Sequence, residues 1–237
     1  GSEMCIRDRF SNVITFDHYI DLIYNTSFMH NVWNSFVIAA ITTIICLAIG
    51  ILGSYAMTRL KYPGRSFFRN SIIISYLMPT AVLFVPMYVF VSSLGFYDNK
   101  YALLIIYPTF VVPYCCYMLI SYFKAIPYAL EEAALIDGCN RLQTLWYIIM
   151  PIALPGIAVV ATFAFTMAWN EYLYAMIMTT SNVQKTATVA ISGFKYADSA
   201  IWGRIMSASV VCSLPVTLLY IAAQSMLILG KYEGSVK

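Results

Sequence analysis

Charge is what this chain lacks. Asp, Glu, Lys and Arg make up 11% of its 237 residues, against about 25% in soluble globular domains. A water-soluble fold of this size could not cover its surface with so few charges, so a soluble domain is excluded. Histidine is almost missing as well. His18 and His30 are isolated, and no Ser/His/Asp or Cys/His grouping gives enzyme chemistry a seat. The six cysteines (Cys5, Cys46, Cys115, Cys116, Cys139, Cys212) show neither metal-ligand spacing nor a disulfide framework. Most of them suit small apolar packing instead. No Gly-rich phosphate loop with a following Lys and Ser or Thr is present, so ATP is not expected on this chain, nor any other cofactor. The net charge of +3 is spread over separate loops without an arginine-rich face, which excludes a nucleic-acid role.

Apolar sequence is what the chain has in abundance. Hydrophobic residues reach 61% and mean hydropathy is +0.75. Five intervals carry no charged side chain: 22–58, 70–97, 101–123, 142–170 and 205–230. A bilayer-spanning helix needs about 20 apolar residues, so each interval holds one span. Backbone groups in lipid must bond within their own segment, so the spans are helices. The expected fold is all-α, a polytopic membrane helical bundle with five transmembrane helices near 32–57, 68–90, 102–123, 154–179 and 207–229.

Orientation follows from the loop after the first span. It holds Arg59, Lys61, Arg65 and Arg69 and no acid, which makes it cytoplasmic. Alternation then puts the turn at Asp98–Lys100 outside, the loop 124–153 inside, the segment 181–204 outside and the C-terminal tail inside. Lys185, Lys195 and Arg204 fit the outer assignment poorly.

Pro79 and Pro86 interrupt the second span, Pro108 and Pro113 the third. Such kinks suit a cavity or hinge as well as plain bundle packing. Gly50, Gly53, Ser54 and Ala56 cluster late in the first span and allow close helix approach, to a second subunit or to this chain's own helices. Asn170 and Glu171 lie in the fourth span. A carboxylate at membrane depth marks a cavity or partner, which makes these two candidates for a translocation path. From Leu154, Glu171 is roughly 25 Å along a helix. That places it near the outer interface, where anchoring beside Trp169 and Tyr172 is the competing reading.

The opening residues 1–9, GSEMCIRDR, are expected to be a translated sequencing-library adapter, with the true start and an upstream segment lost. Residues 10–237 then form one transmembrane domain.

The loop 124–153 carries the chemistry of recognition. Pro127 can open a helix, and Glu131 and Glu132 suit its first turns. Ala133 and Ala134 continue it with small side chains that let another protein approach. Gly138 supplies a left-handed stop, and a second helix is expected over 140–149 before Pro151 and Pro155 reset the chain. An amphipathic helix lying on the bilayer is the alternative, but Glu131, Glu132 and Asp137 suit an anionic leaflet poorly.

This loop resembles the EAA motif of binding-protein-dependent ABC importers. Glu132-Ala133-Ala134 is followed after three residues by Gly138, after nine more by Ile148, then by one residue and Met150-Pro151. Met150 stands where the family usually has Leu. Asn34-Ser35, the run from Tyr55 to Leu60, Pro63-Gly64-Arg65, Met78-Pro79, Leu94-Gly95-Phe96, Trp169-Asn170-Glu171 and the tail from Gly234 to Lys237 extend the likeness. Together they are similar to the shorter, MalG-like permease of maltose-type sugar importers, which ordinarily has six spans. The resemblance implies a multi-pass protein of the bacterial inner membrane. Its implied partners are a second permease in a heterodimer, two ATPase subunits that bind the ATP, and an extracytoplasmic solute-binding protein, with a sugar as substrate. Glu131, Glu132, Ala133, Ala134, Asp137, Gly138 and Pro151 become the implied ATPase-coupling residues. A permease for polyamines or amino acids, or a scaffold without a transport cycle, is the alternative.

Overall fold

The computed structural model describes residues 16–196, 199–200 and 202–234. The expected adapter residues 1–9 and the tail from Ser235 lie outside them. In chain order the helices are α1 (Asp17–Tyr24), α2 (Phe28–Arg59), α3 (Arg65–Leu77), α4 (Phe84–Ser93), α5 (Leu103–Ile106), α6 (Pro108–Ala125), α7 (Ala129–Ile136), α8 (Arg141–Thr144), α9 (Met150–Trp169), α10 (Leu173–Met178), α11 (Ala187–Ser192) and α12 (Trp202–Gly234). One small antiparallel ladder, Lys195–Tyr196 on Ser199–Ala200, interrupts the helices before α12. By length and composition, three helices can cross a membrane, rising to five when two bent pairs each count as one span. The all-α membrane bundle is therefore the observed architecture.

α2 is the centre of the bundle and packs on α6 and α9. Tyr55, Leu119, Phe123, Leu145, Ile149 and Val160 are buried together toward the end of α2 that carries Arg59. A second buried group, including Ile38, Leu103, Tyr107, Trp169 and Met178, fills the opposite half. The cluster of small residues on α2 resolves into contact within the chain. A β-carbon on Gly50 would meet Cys115 Cβ at 2.9 Å, and Ser54 Oγ donates to the carbonyl of Cys116 at 3.2 Å. Gly50→Val is accordingly expected to lower the thermal midpoint of the detergent-solubilised protein, since overpacking of this kind costs about 1–3 kcal/mol. Gly53→Ala, whose nearest neighbour lies 3.7 Å away, should melt with the wild type.

Two spans are bent at prolines, as their sequences lead one to expect. The second, expected near 68–90, turns by 92° between Leu77 and Thr80. Pro79 pushes Met78 out of the helical region to ψ 129°, and Tyr174 Oη secures the turn by donating to the carbonyl of Thr80 at 2.8 Å. The third bends by 42° at Pro108, where proline opens the new helix.

The fourth span is displaced by more than a turn at each end. A continuous helix runs Arg141–Trp169, so Pro151 and Pro155 do not reset the chain. A π-helical stretch at Leu145–Ile149 precedes Pro151, which falls in the first turn of α9. Widening the helix there gives the proline ring room without a break. At the other end the helix stops at Trp169 instead of continuing to 179. The Glu171 carboxylate accepts the N–H groups of Tyr174 and Ala175, each at 3.1 Å, and so starts α10 as a separate helix.

The face opposite the Arg59 end is tied together by polar bonds. Asp98 Oδ1 accepts the N–H groups of Thr180 (2.8 Å) and Ser181 (2.9 Å). These bonds, that of Ser181 foremost, hold the Asp98 carboxyl below its ordinary pKa. Asn34 bridges the carbonyls of Val183 and Lys185 to the Lys100 ammonium. Two of the three outer cations that fit the charge rule poorly have partners: Lys185 bonds Asn182, and Arg204 is ion-paired with Asp21. The Lys195 side chain is outside the described atoms.

Candidate coupling elbow

Between α6 and α9 the chain makes a compact elbow. α6 ends at Ala125, the chain runs extended through Ile126, and α7 begins after Pro127 and Tyr128. Gly138 closes α7 in the left-handed region, with φ +90°. The N–H of Cys139 bonds the carbonyl of Ala134 (3.0 Å) and that of Gly138 the carbonyl of Leu135 (3.2 Å). This is the Schellman arrangement, which needs a residue without a β-carbon penalty at that point. Asn140 then starts α8 with a reciprocal cap: its Oδ1 accepts the N–H of Gln143 at 2.9 Å, and Gln143 Oε1 accepts that of Asn140 at 2.8 Å. Asn followed three residues later by Gln is the sequence signal of this cap, one that a reading of the motif alone passes over.

The seven coupling candidates divide by face. Glu132, Ala133, Asp137 and Gly138 are exposed, and Ile136 between them is 86% exposed. Pro151 is exposed at the start of α9. Ala134, by contrast, is 5% exposed and Glu131 0%. These two point into the bundle, so neither offers its side chain to another protein. α7 thus presents a strip of Glu132, Ala133, Ile136 and Asp137 to the outside.

Glu131 is buried against Arg59, whose Nε lies 2.6 Å from Glu131 Oε1. The contact is out of line for a hydrogen bond, and both carboxylate oxygens are left without a hydrogen-bond partner. Burial pushes the Glu131 carboxyl above its ordinary pKa, while Arg59 and then Arg141 pull it back. Arg59 Nη2 also donates to the carbonyls of Phe123 (2.6 Å) and Ile126 (2.7 Å). The same guanidinium sits 5.8 Å from the centre of the Tyr128 ring. Arg65 caps α2 in turn, donating to the carbonyls of Met57, Thr58 and Leu60. Charge counting used both arginines only to orient the membrane; their structural roles had no sequence-local signal.

The path candidates lie apart from the elbow. Asn170 is exposed on a cavity of about 390 Å³ whose lining includes Trp169, Thr188, Ser209, Ser213 and Thr217. Glu171 does not face open space in the same way. Besides the two N–H groups of α10, its carboxylate accepts the Tyr107 hydroxyl at 3.2 Å. Trp169 is 3% exposed and donates Nε1 to the carbonyl of Cys212. Trp169 is thus packed within the bundle.

Residues 49–228 match the family described as the binding-protein-dependent transport system inner membrane component. The chain belongs to that family. It is 37% identical over 226 residues to the inner membrane ABC transporter permease protein YcjP of Escherichia coli K12, covering 94% of this chain and 80% of that protein. It is 31% identical over 205 residues to the trehalose/maltose transport system permease protein MalG of Thermococcus litoralis, covering 86% and 74%. Among solved structures, a bacterial ABC transporter involved in the import of the acidic polysaccharide alginate superimposes with a TM-score of 0.74 at 22% identity, over 90% of this chain and 79% of that one. The MetNI methionine transporter follows at 0.70 and 16%, over 92% and 99%. At such identities the likeness speaks for the permease fold alone. This permease is therefore a multi-pass component of the inner membrane.

Proposed function

We propose that this permease forms half of the translocation path of an ATP-driven carbohydrate importer, and that its elbow seats in an ATPase subunit. ATP is bound and hydrolysed on that partner chain, and a solute-binding protein delivers the sugar from outside. The observation that carries the coupling role is the division of α7 into two faces. Its outward face is exposed and carries Glu132, Ala133 and Asp137 with two large apolar residues, Leu130 and Ile136, while its inward face is fastened to the bundle by a buried ion pair. A helix lying on lipid would instead show cations outward.

The permease fold does not choose the substrate, because alginate and methionine transporters share it. Two features favour a carbohydrate. Relatives at about 30% identity include permeases named for trehalose and for trehalose/maltose. The cavity beside Asn170 sets an amide and several hydroxyls among apolar side chains such as Ile191 and Val216, without a charged lining residue, a composition compatible with neutral polyols. The large apolar surface of α3 and α4, with Phe67, Leu77, Val85 and Phe90 more than half exposed, is the face we assign to lipid or to a second permease subunit.

The test is uptake by proteoliposomes holding this permease, its second permease, the ATPases and the binding protein. Trehalose and maltose should enter in an ATP-dependent manner; entry of methionine or putrescine alone would contradict the reading. Asn170→Leu is expected to raise the apparent KM for sugar about tenfold, the size of one lost hydrogen bond. Unchanged kinetics would remove Asn170 from the path.

A further inference from the structure

α7 and α8 are joined covalently to α6 and α9, yet both limbs of the elbow are also gripped by a helix to which neither is joined. Tyr55 and Arg59 stand one turn apart on the last part of α2. Arg59 holds α7 through Glu131 and holds the end of α6 through the carbonyls of Phe123 and Ile126. Tyr55 donates its hydroxyl to the carbonyl of Arg141 at 3.3 Å, at the start of α8. Both side chains are buried or nearly so.

An ion pair in such a place is costly to desolvate, and an apolar pair of like volume would hold the fold as well or better. What such a pair can add is register, here the seat of α7 against α2. Without it, the extended link through Ile126 and Pro127 offers a place for α7 to swing by itself. We propose that Arg59 is a positioning residue for coupling. It makes the end of α2, the central helix of the bundle, take up the displacement of the elbow directly, so that α2 and α7 move as one piece. This rests on the reading of α7 as the ATPase-docking helix.

The experiment uses the complete reconstituted importer with Arg59→Met, Arg59→Lys, Glu131→Gln and the double variant Arg59→Met/Glu131→Met. ATPase association, basal ATP hydrolysis and hydrolysis stimulated by sugar-loaded binding protein are measured for each. Spin labels at Lys61→Cys, just past the end of α2, and at Leu130→Cys on α7, both exposed, report the separation of the two helix ends with and without ATP. In the parent protein that separation should stay constant through the cycle. In Arg59→Met it should change on ATP binding, with association and basal hydrolysis kept and stimulation at least tenfold lower. Arg59→Lys, which keeps the charge and loses the fork, should recover part of the stimulation. The double variant should assemble well and remain uncoupled.

Stimulation within twofold of wild type in Arg59→Met or the double variant would overturn the proposal, as would a separation that varies in the parent. If Arg59→Met does not assemble, Glu131→Gln and Arg59→Lys decide by the same ratio of stimulated to basal hydrolysis. An ATPase that fails to bind the unaltered permease would instead bring down the docking reading, and this proposal with it.

Discussion

Gly138→Val is expected to abolish transport and to weaken association with the ATPase. The cause is the backbone. Gly138 has φ +90°, and a β-carbon there would have nothing within 4 Å, so steric crowding is not the reason. A β-branched residue in the left-handed region costs at least the roughly 1–2 kcal/mol charged to any L-residue, and valine tolerates it worst. Relief requires the turn to reopen, which breaks the bonds from Cys139 and Gly138 to the carbonyls of Ala134 and Leu135 and reorients α7 against α8. Gly138→Asn, which takes the left-handed region at less cost, should keep a large part of the activity. Sugar-stimulated ATP hydrolysis in the reconstituted complex checks both. Normal stimulation in Gly138→Val would show that the angle between the two short helices does not matter.

Ala133→Trp has the second large effect, and by a different route. Ala133 is exposed, so the substitution should leave the thermal midpoint of the free permease unchanged. In a close-packed interface an indole cannot be accommodated at an alanine position. ATPase affinity should fall about 100-fold, or about 2.7 kcal/mol. Ala134→Trp separates the two faces of the helix. Ala134 is buried within the chain, so its replacement should damage folding itself and appear as a lower midpoint before any partner is added. Equal ATPase affinity for the permease with Ala133 and with Ala133→Trp would mean that this face of α7 is not the docking surface.

How far the molecule is legible in its sequence depends on the range of the interaction. The elbow is readable because its determinants are local. A proline, a run of helix formers, a glycine and an asparagine follow one another at spacings that set helix, stop and restart. The break at Pro79 is half-readable: proline marks the place, but whether a helix kinks or turns through 92° depends on what secures the freed groups. That partner, Tyr174, lies far along the chain. The end of the fourth span was hidden for a related reason. Hydropathy averages over one acid, and the apolar run continues after Glu171, whereas the carboxylate acts on two particular N–H groups and divides the helix.

The Arg59–Glu131 pair was least accessible. Arginine in a cytoplasmic loop has an ample explanation in membrane orientation, and Glu131 one in helix-dipole preference. Nothing local couples residues so distant in the chain. The consequence for the site is real, because Ala134 of the motif and Glu131 beside it are both buried in the permease's own interior. The helix thus has one face packed into the chain and one exposed, and the proposed docking role falls on the exposed face alone.

The most direct measurement is site-specific crosslinking along α7 in the intact importer, with single cysteines placed in a background where the native ones are replaced. Ala133→Cys, Ile136→Cys and Asp137→Cys should each form adducts with the ATPase subunit, while Ala134→Cys should form none, giving a pattern with the helical period. Adducts with no ATPase at any of the three exposed positions, or equal yields at all four, would contradict the account.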